Sequence, residues 1–165
     1  MPQDALQQQL VKYLTDVHST EQNALSTLRA GAGSVDDQQL AAAFRDHLAE
    51  TEEHERLIAE RLAAHEAGPS TLKDAAQKGV AAVTGAIANA APDTAGKMAI
   101  QAYAFEHLEI ASYRMLRQVA ERAGDHETVQ VADRILKEER VAAERLSNLL
   151  ESIADHDLRQ MGLAA

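Results

Sequence analysis

Apolar residues recur every three or four positions along most of the chain, the spacing of helices with one buried face. Leu6, Leu10, Leu14, Val17, Leu25 and Leu28 make one such stripe and predict a first helix over about 4–29, stopped by Ala30-Gly31-Ala32-Gly33. Ser34 offers an N-cap for a second helix over about 35–66, with Leu40, Phe44, His47, Thr51, His54, Ile58 and Leu62 on its stripe and Gly68-Pro69 beyond its end. A third helix over about 92–122 turns Met98, Phe105, Leu108, Glu109, Ser112, Leu116 and Val119 inward. Ala123-Gly124-Asp125 then breaks the chain before a fourth over about 126–154, with Ala132, Ile135, Glu139, Ala142, Leu146, Leu149 and Ile153.

Short breaks within each pair predict two antiparallel helical hairpins. Residues 69–91 between them are Ala-, Gly- and Val-rich and nearly free of acids, and predict a long crossover containing a short helix. The expectation is a single all-α domain over 1–165, a four-helix bundle with ferritin-like connectivity rather than a simple up-and-down one.

Composition agrees: no Trp, three Pro, and an abundance of Ala, Leu, Glu, Gln and Arg, which lose little on entering a helix. With no Cys, any metal must be held by oxygen and nitrogen. A formal charge of −10 argues against a nucleic-acid partner and favours cations. The N-terminus lacks a basic start followed by an apolar run, and no apolar stretch is long enough to span a bilayer, so no membrane partner and a cytoplasmic location are expected.

Chemistry shows where an acid stands in an apolar stripe. Glu21 lies between Val17 and Leu25, and Glu139 between Ile135 and Leu146. An isolated ionised carboxylate in a bundle core costs several kcal/mol, so it must be protonated, paired or metal-bound. The second helix adds His47 and His54 near its stripe centre, with Glu50 toward the edge and Glu53 further out; the third adds the Glu106-x-x-Glu109 pair. Setting Glu21 against Glu106 and Glu50 against Glu139 aligns the two hairpins as a pseudo-repeat. A single buried glutamate is more often an ion-pair partner than a ligand, but four acids at matching depth with too few inward Lys or Arg to neutralise them favour a metal site. Carboxylates with one or two imidazoles suit iron or manganese. His18, one turn before Glu21, is either a hydrogen-bond donor to the site or a core or solvated histidine.

At Thr15-Asp16-Val17-His18-Ser19-Thr20-Glu21-Gln22, His47-Leu48-Ala49-Glu50-Thr51 and Glu106-His107-Leu108-Glu109-Ile110-Ala111-Ser112-Tyr113 the sequence resembles the YciF/YciE family of bacterial ferritin-like proteins, over nearly the whole chain. The resemblance implies a stress-associated homodimer with a rubrerythrin-like bundle and a dinuclear site. It makes Glu21, Glu50, Glu106 and Glu139 the helix-borne carboxylates and Glu109 an extra acid on the third helix. The sequence departs from a ferritin pattern at Glu53, one turn after Glu50, with His54 one residue later, and at Ala142 and Ala143 after Glu139. A carboxylate-rich, asymmetric site follows, and the absence of cysteines excludes a rubredoxin-like module within this polypeptide.

The resulting expectation is two Fe or Mn ions per chain, bridged by Glu50 and Glu139, capped by Glu21 and Glu106, and completed by Glu109 and His54. Glu53, His47 and His18 are alternates or outer partners, and no residue is assigned a catalytic role. Dioxygen or peroxide would be the co-substrate of an oxidase, peroxidase or ferroxidase activity. The competing expectation is a non-catalytic helical dimer with a structural or interaction role in stress response.

Overall fold

The computed structural model describes residues 2–65 and 94–163. They form four helices, α1 Pro2–Ser34, α2 Gln38–Ala64, α3 Ala95–Ala123 and α4 His126–Gln160. The expected crossover over 69–91, with its short helix, lies outside the described residues, as does Pro92.

Contacts at the ends fix the directions. Leu28 packs with Leu40 and Phe44 across the first turn, and Ala120 with Ala132 across the second, so each pair is an antiparallel hairpin. Gln7 at the start of α1 donates to the Ala123 carbonyl at the end of α3 (3.3 Å), and Arg61 and His65 at the end of α2 meet Asp125 at the start of α4 (3.0 and 2.7 Å). Consequently α2 and α3 run in the same direction, and the chain leaves α2 at one end of the bundle and enters α3 at the other. This is the ferritin-like arrangement.

Caps set most boundaries. Asp37 Oδ1 accepts from the Gln39 and Leu40 amides (2.9 and 2.8 Å), Thr94 Oγ1 from the Lys97 amide (3.2 Å), and Asp125 Oδ1 from the Thr128 amide (3.0 Å). α3 ends at Gly124, whose φ of 75° is the left-handed conformation that glycine adopts without strain. Three boundaries depart from the sequence expectation. α1 continues through Ala30-Gly31-Ala32-Gly33 to Ser34, and α2 is capped by Asp37, not Ser34. The reason is packing: Gly31 is buried, and a Cβ there would stand 2.8 Å from Phe44 Cε2. Gly31 is therefore a contact residue, not a stop signal. α4 runs past Ala154 to Gln160, because Ile153 is buried and Asp157 accepts a hydrogen bond from the Gly96 amide (3.0 Å), tying the far end of α4 to the start of α3.

Gly31→Ala sets two effects against each other. Alanine gains about 1 kcal/mol of helix propensity, whereas overpacking a filled core costs about 1–3 kcal/mol. The clash outweighs the gain, and the variant is expected to lose about 1 kcal/mol in denaturant unfolding; an unchanged or higher midpoint would show that Phe44 swings aside freely.

The core has three layers along the bundle axis. Leu10, Leu14, Val17, Ile58, Leu62, Tyr113, Leu116, Ile135 and Leu136 fill one end. Ala24, Leu28, Leu40, Phe44, Ala99, Leu146 and Ile153 fill the other. Each fully buried aliphatic side chain contributes about 1.5–3 kcal/mol. Between these layers every helix turns charged or imidazole groups inward.

Candidate metal centre

The polar layer holds Glu21 from α1, His47 and His54 from α2, Glu106 and Glu109 from α3 and Glu139 from α4, each no more than 4 % exposed. On three helices the acid occupies the stripe position that periodicity gives to an apolar residue. His47 and His54 are seven residues apart, two turns, and so share one face of α2. Their rings are 6.4 Å apart, roughly perpendicular.

These groups meet in two constellations that share one residue. His47, Glu106, Glu109 and Glu139 bring ligand atoms within 4.8 Å of one another, and so do Glu21, His54 and Glu139. Glu139 faces both with different oxygens: Oε2 lies 3.6 Å from His47 Nε2, and Oε1 lies 2.9 Å from His54 Nδ1. One oxygen of this carboxylate is thus turned to each constellation.

The inward atoms are not hydrogen-bonded to each other. Glu21 Oε2, His47 Nε2, His54 Nδ1, Glu106 Oε2, both Glu109 oxygens and both Glu139 oxygens are shielded from solvent without a hydrogen-bond partner. His47 Nε2 is 3.1 Å from Glu106 Oε2, yet out of line for a hydrogen bond. Leaving one such group unsatisfied costs about 1–3 kcal/mol, so a cluster of them suits a cation at its centre. Four carboxylates carry the negative charge that two divalent cations neutralise, and no Lys or Arg is buried among the described residues to do it instead. Oxygen and imidazole donors in this number fit iron or manganese.

Electrostatics without a cation show the same deficit. Burial pushes the Glu21 carboxyl up to about 8 and Glu106 up to about 7, and raises Glu109 well above the usual range, with the neighbouring Glu139 adding to it. Burial also favours the neutral form of both histidines, but the acids around them prevail: Glu106 and Glu50 raise His47 to about 10, and Glu139 and Glu21 raise His54. Glu139 is lowered because His54 and His47 outweigh its burial. Metal-free, the layer is a set of protonated acids around an imidazolium–carboxylate pair.

Each imidazole is held from outside by a half-exposed acid. Glu50 Oε2 sits 3.1 Å from His47 Nδ1, leaving Nε2 to face the cluster. Glu138 Oε2 sits 2.7 Å from His54 Nε2, leaving Nδ1 to face it. Such carboxylates fix ring orientation and increase the basicity of the inward nitrogen. Tyr113 performs a related task for Glu21, donating its hydroxyl to Oε1.

The structure thus brings together Glu21, His54, Glu106, Glu109 and Glu139 from the expected ligand set and adds His47, expected only as an alternate. Glu50 stands at the edge, with its carboxylate on His47 and 33 % of its side chain exposed. Glu53 points outward to Arg56 and Arg134, and His18 pairs with Glu55 at 2.8 Å, away from the cluster. Glu138 was not anticipated, since an acid one residue from Glu139 and four from Arg134 reads as a solvated helix face. Glu138→Gln is expected to weaken metal binding about tenfold, within the range for such outer partners, with little change in fold. Titration calorimetry on the metal-depleted protein measures it, and unchanged affinity would mean that His54 is held by packing alone.

Two hairpins, a parallel α2–α3 pair and a midplane of carboxylates define a ferritin-like four-helix bundle with a candidate dinuclear metal centre. The chain belongs to the DUF892 family, whose description is a domain of unknown function, with residues 5–159 matched. A crystal structure of a Xanthomonas campestris protein is 28 % identical, with a TM-score of 0.79 over 96 % of this chain and 99 % of that one. The Escherichia coli stress protein YciF is 20 % identical, with a TM-score of 0.74 over 91 % and 97 % of the two chains. A ferritin-like, diiron-carboxylate protein from Bacillus anthracis is 18 % identical, with a TM-score of 0.71 over 88 % and 97 %. The fold is therefore that of YciF-like ferritin-like proteins. Among the described residues no helix is long and apolar enough to cross a membrane.

Proposed function

We propose that this protein holds two iron or manganese ions in the polar layer and uses them in a redox reaction with dioxygen or peroxide, as a stress-associated oxidase, peroxidase or ferroxidase. One observation carries the reading: Glu21, His47, His54, Glu106, Glu109 and Glu139, which face one another, all turn solvent-shielded donor atoms without hydrogen-bond partners into the layer. His47, Glu106 and Glu109 would hold one ion and Glu21 and His54 the other, with Glu139 within reach of both.

Bound there, the metal supplies one-electron redox change at two adjacent ions. The protein's part is to hold that pair dry, between two apolar layers that exclude bulk water. Glu50 and Glu138 hold the imidazoles, and Tyr113 holds Glu21 with a hydroxyl that burial keeps protonated. Ligands with raised pKa values must release protons when a cation enters, so metal affinity rises with pH and binding acidifies the medium. A homodimer accompanies this reading and would elute at twice the chain mass of 17.8 kDa.

Mixing the metal-depleted protein with ferrous iron in air tests the activity. Oxidation faster than in buffer, and slower again with Glu139→Gln, is the expected result. Identical rates for the protein, the variant and buffer would remove the ferroxidase reading, and the same comparison with peroxide as oxidant would remove the peroxidase one.

A further inference from the structure

The two constellations that meet at Glu139 are unequal in donors. Among the described residues, the solvent-shielded atoms without hydrogen-bond partners on the His47 side are His47 Nε2, Glu106 Oε2, Glu139 Oε2 and both oxygens of Glu109. On the His54 side they are His54 Nδ1, Glu139 Oε1 and Glu21 Oε2. Much of the difference lies in Glu109 against Glu21. Both are buried, at 1 % and 0 % exposed. Glu109 has neither oxygen bonded, whereas Glu21 Oε1 is taken by the Tyr113 hydroxyl. Tyr113 follows Glu109 by four residues, about one turn of α3. One face of that helix therefore supplies a carboxylate to the first constellation and occupies a carboxylate oxygen of the second.

We propose that the His47 side holds a resident ion and the His54 side an exchangeable one, and that Tyr113 keeps the second position sparse; the proposal rests on the metal-binding reading above. Charge and donor number agree on the order of filling. Glu106 and Glu109 stand beside the shared Glu139 on the first side, where the second side has Glu21. Each added carboxylate draws a divalent cation more strongly in a buried site. Three protein donors leave an octahedral ion about three positions for water or another ligand. With both oxygens available Glu21 would chelate and close one of them. The Tyr113 hydroxyl occupies that oxygen, and at 1 % exposed it is too deeply buried to turn to solvent instead. A divalent cation that enters and leaves such a position is cargo or substrate, while the ion beside it stays as cofactor. Tyr113 is a positioning residue, acting on the second ion through Glu21.

Manganous ion, with ferrous ion under nitrogen as a second probe, is titrated into the metal-depleted protein and followed by calorimetry. Wild type should bind one equivalent tightly and a second about tenfold or more weakly. Glu21→Gln should lose the weaker step and keep the affinity of the tighter, whereas Glu109→Gln should weaken the tighter. Tyr113→Phe separates an oxygen held back from a merely supporting contact. Releasing Glu21 Oε1 should tighten the weaker step about tenfold, the scale on which outer partners shift metal affinity, with the tighter step unchanged; loss of a supporting contact would weaken it. Circular dichroism checks that each variant is folded, and should Tyr113→Phe not fold, the two glutamine variants still decide the order of filling. Two equal steps in wild type, equal effects of Glu21→Gln and Glu109→Gln on the tighter step, or a weaker step unmoved or weakened in folded Tyr113→Phe would overturn the proposal and leave the metal centre standing. Wild type that takes up neither ion would overturn the metal reading, and this proposal with it.

Discussion

Glu139→Gln is expected to empty both metal positions at once. Among the described residues Glu139 alone belongs to both constellations, with Oε2 toward His47 and Oε1 toward His54. An amide keeps the volume but offers one weaker acceptor and no charge. The loss of affinity should exceed the 10–100-fold typical of outer partners. Peripheral ligands should behave differently. Glu109→Gln removes a donor from the His47 side alone, and Glu21→Gln from the His54 side alone, so each should leave one ion. Glu50→Ala separates two roles: a bridging Glu50 predicts loss of the second ion, whereas the observed hydrogen bond to His47 predicts weaker binding with both ions retained at saturation. Elemental analysis of the four variants distinguishes these patterns, and two ions retained in Glu139→Gln would end the shared-carboxylate account.

Removing the metal should make the fold sensitive to alkali. In the metal-free protein Glu106 is raised to about 7, Glu21 to about 8 and His47 to about 10, with Glu109 and His54 raised as well. Unfolded, the carboxyls lose their protons near 4.5 and the imidazoles near 6.5. The folded state thus binds more protons than the unfolded one throughout that window, and stability falls as pH rises from about 5 toward about 10. Glu139 is lowered and acts oppositely, its contribution fading only as pH falls below the ordinary carboxyl range. A cation reverses the trend, because it takes the place of those protons. At a free metal concentration a thousand times Kd the gain is about 4 kcal/mol, or about 8–16 °C in Tm for a chain of this size. Melting at pH 6 and pH 8, with metal and after chelation, checks this: the gap between the two forms should widen with pH. Identical melting with and without metal would favour a structural dimer whose core acids are simply protonated.

The fold was legible because the stripes are long and the breaks between them short; Leu10 to Leu28 and Ile135 to Ile153 leave little choice of face. Glu21 and Glu139 were legible for a sharper reason, since each replaces an apolar residue at the centre of its stripe. Periodicity already set His47 nearer the stripe centre than Glu50; the family resemblance was what made Glu50 a ligand. His47 and Glu50 lie about 60° apart around α2, and the packed bundle shows the imidazole turned inward and the acid behind it. Glu138 was hidden because its task is set by His54 on another helix. Gly31 misled for a related reason: its small size serves the Phe44 ring across the hairpin, and a sequence window sees only a helix breaker.

Metal content tests the whole account most directly. Protein expressed with iron and manganese both supplied, purified, and measured by elemental analysis should hold close to two equivalents of one or both metals per chain. No bound metal, even after reconstitution of the depleted protein above neutral pH, where the acids are most ready to bind, would contradict it.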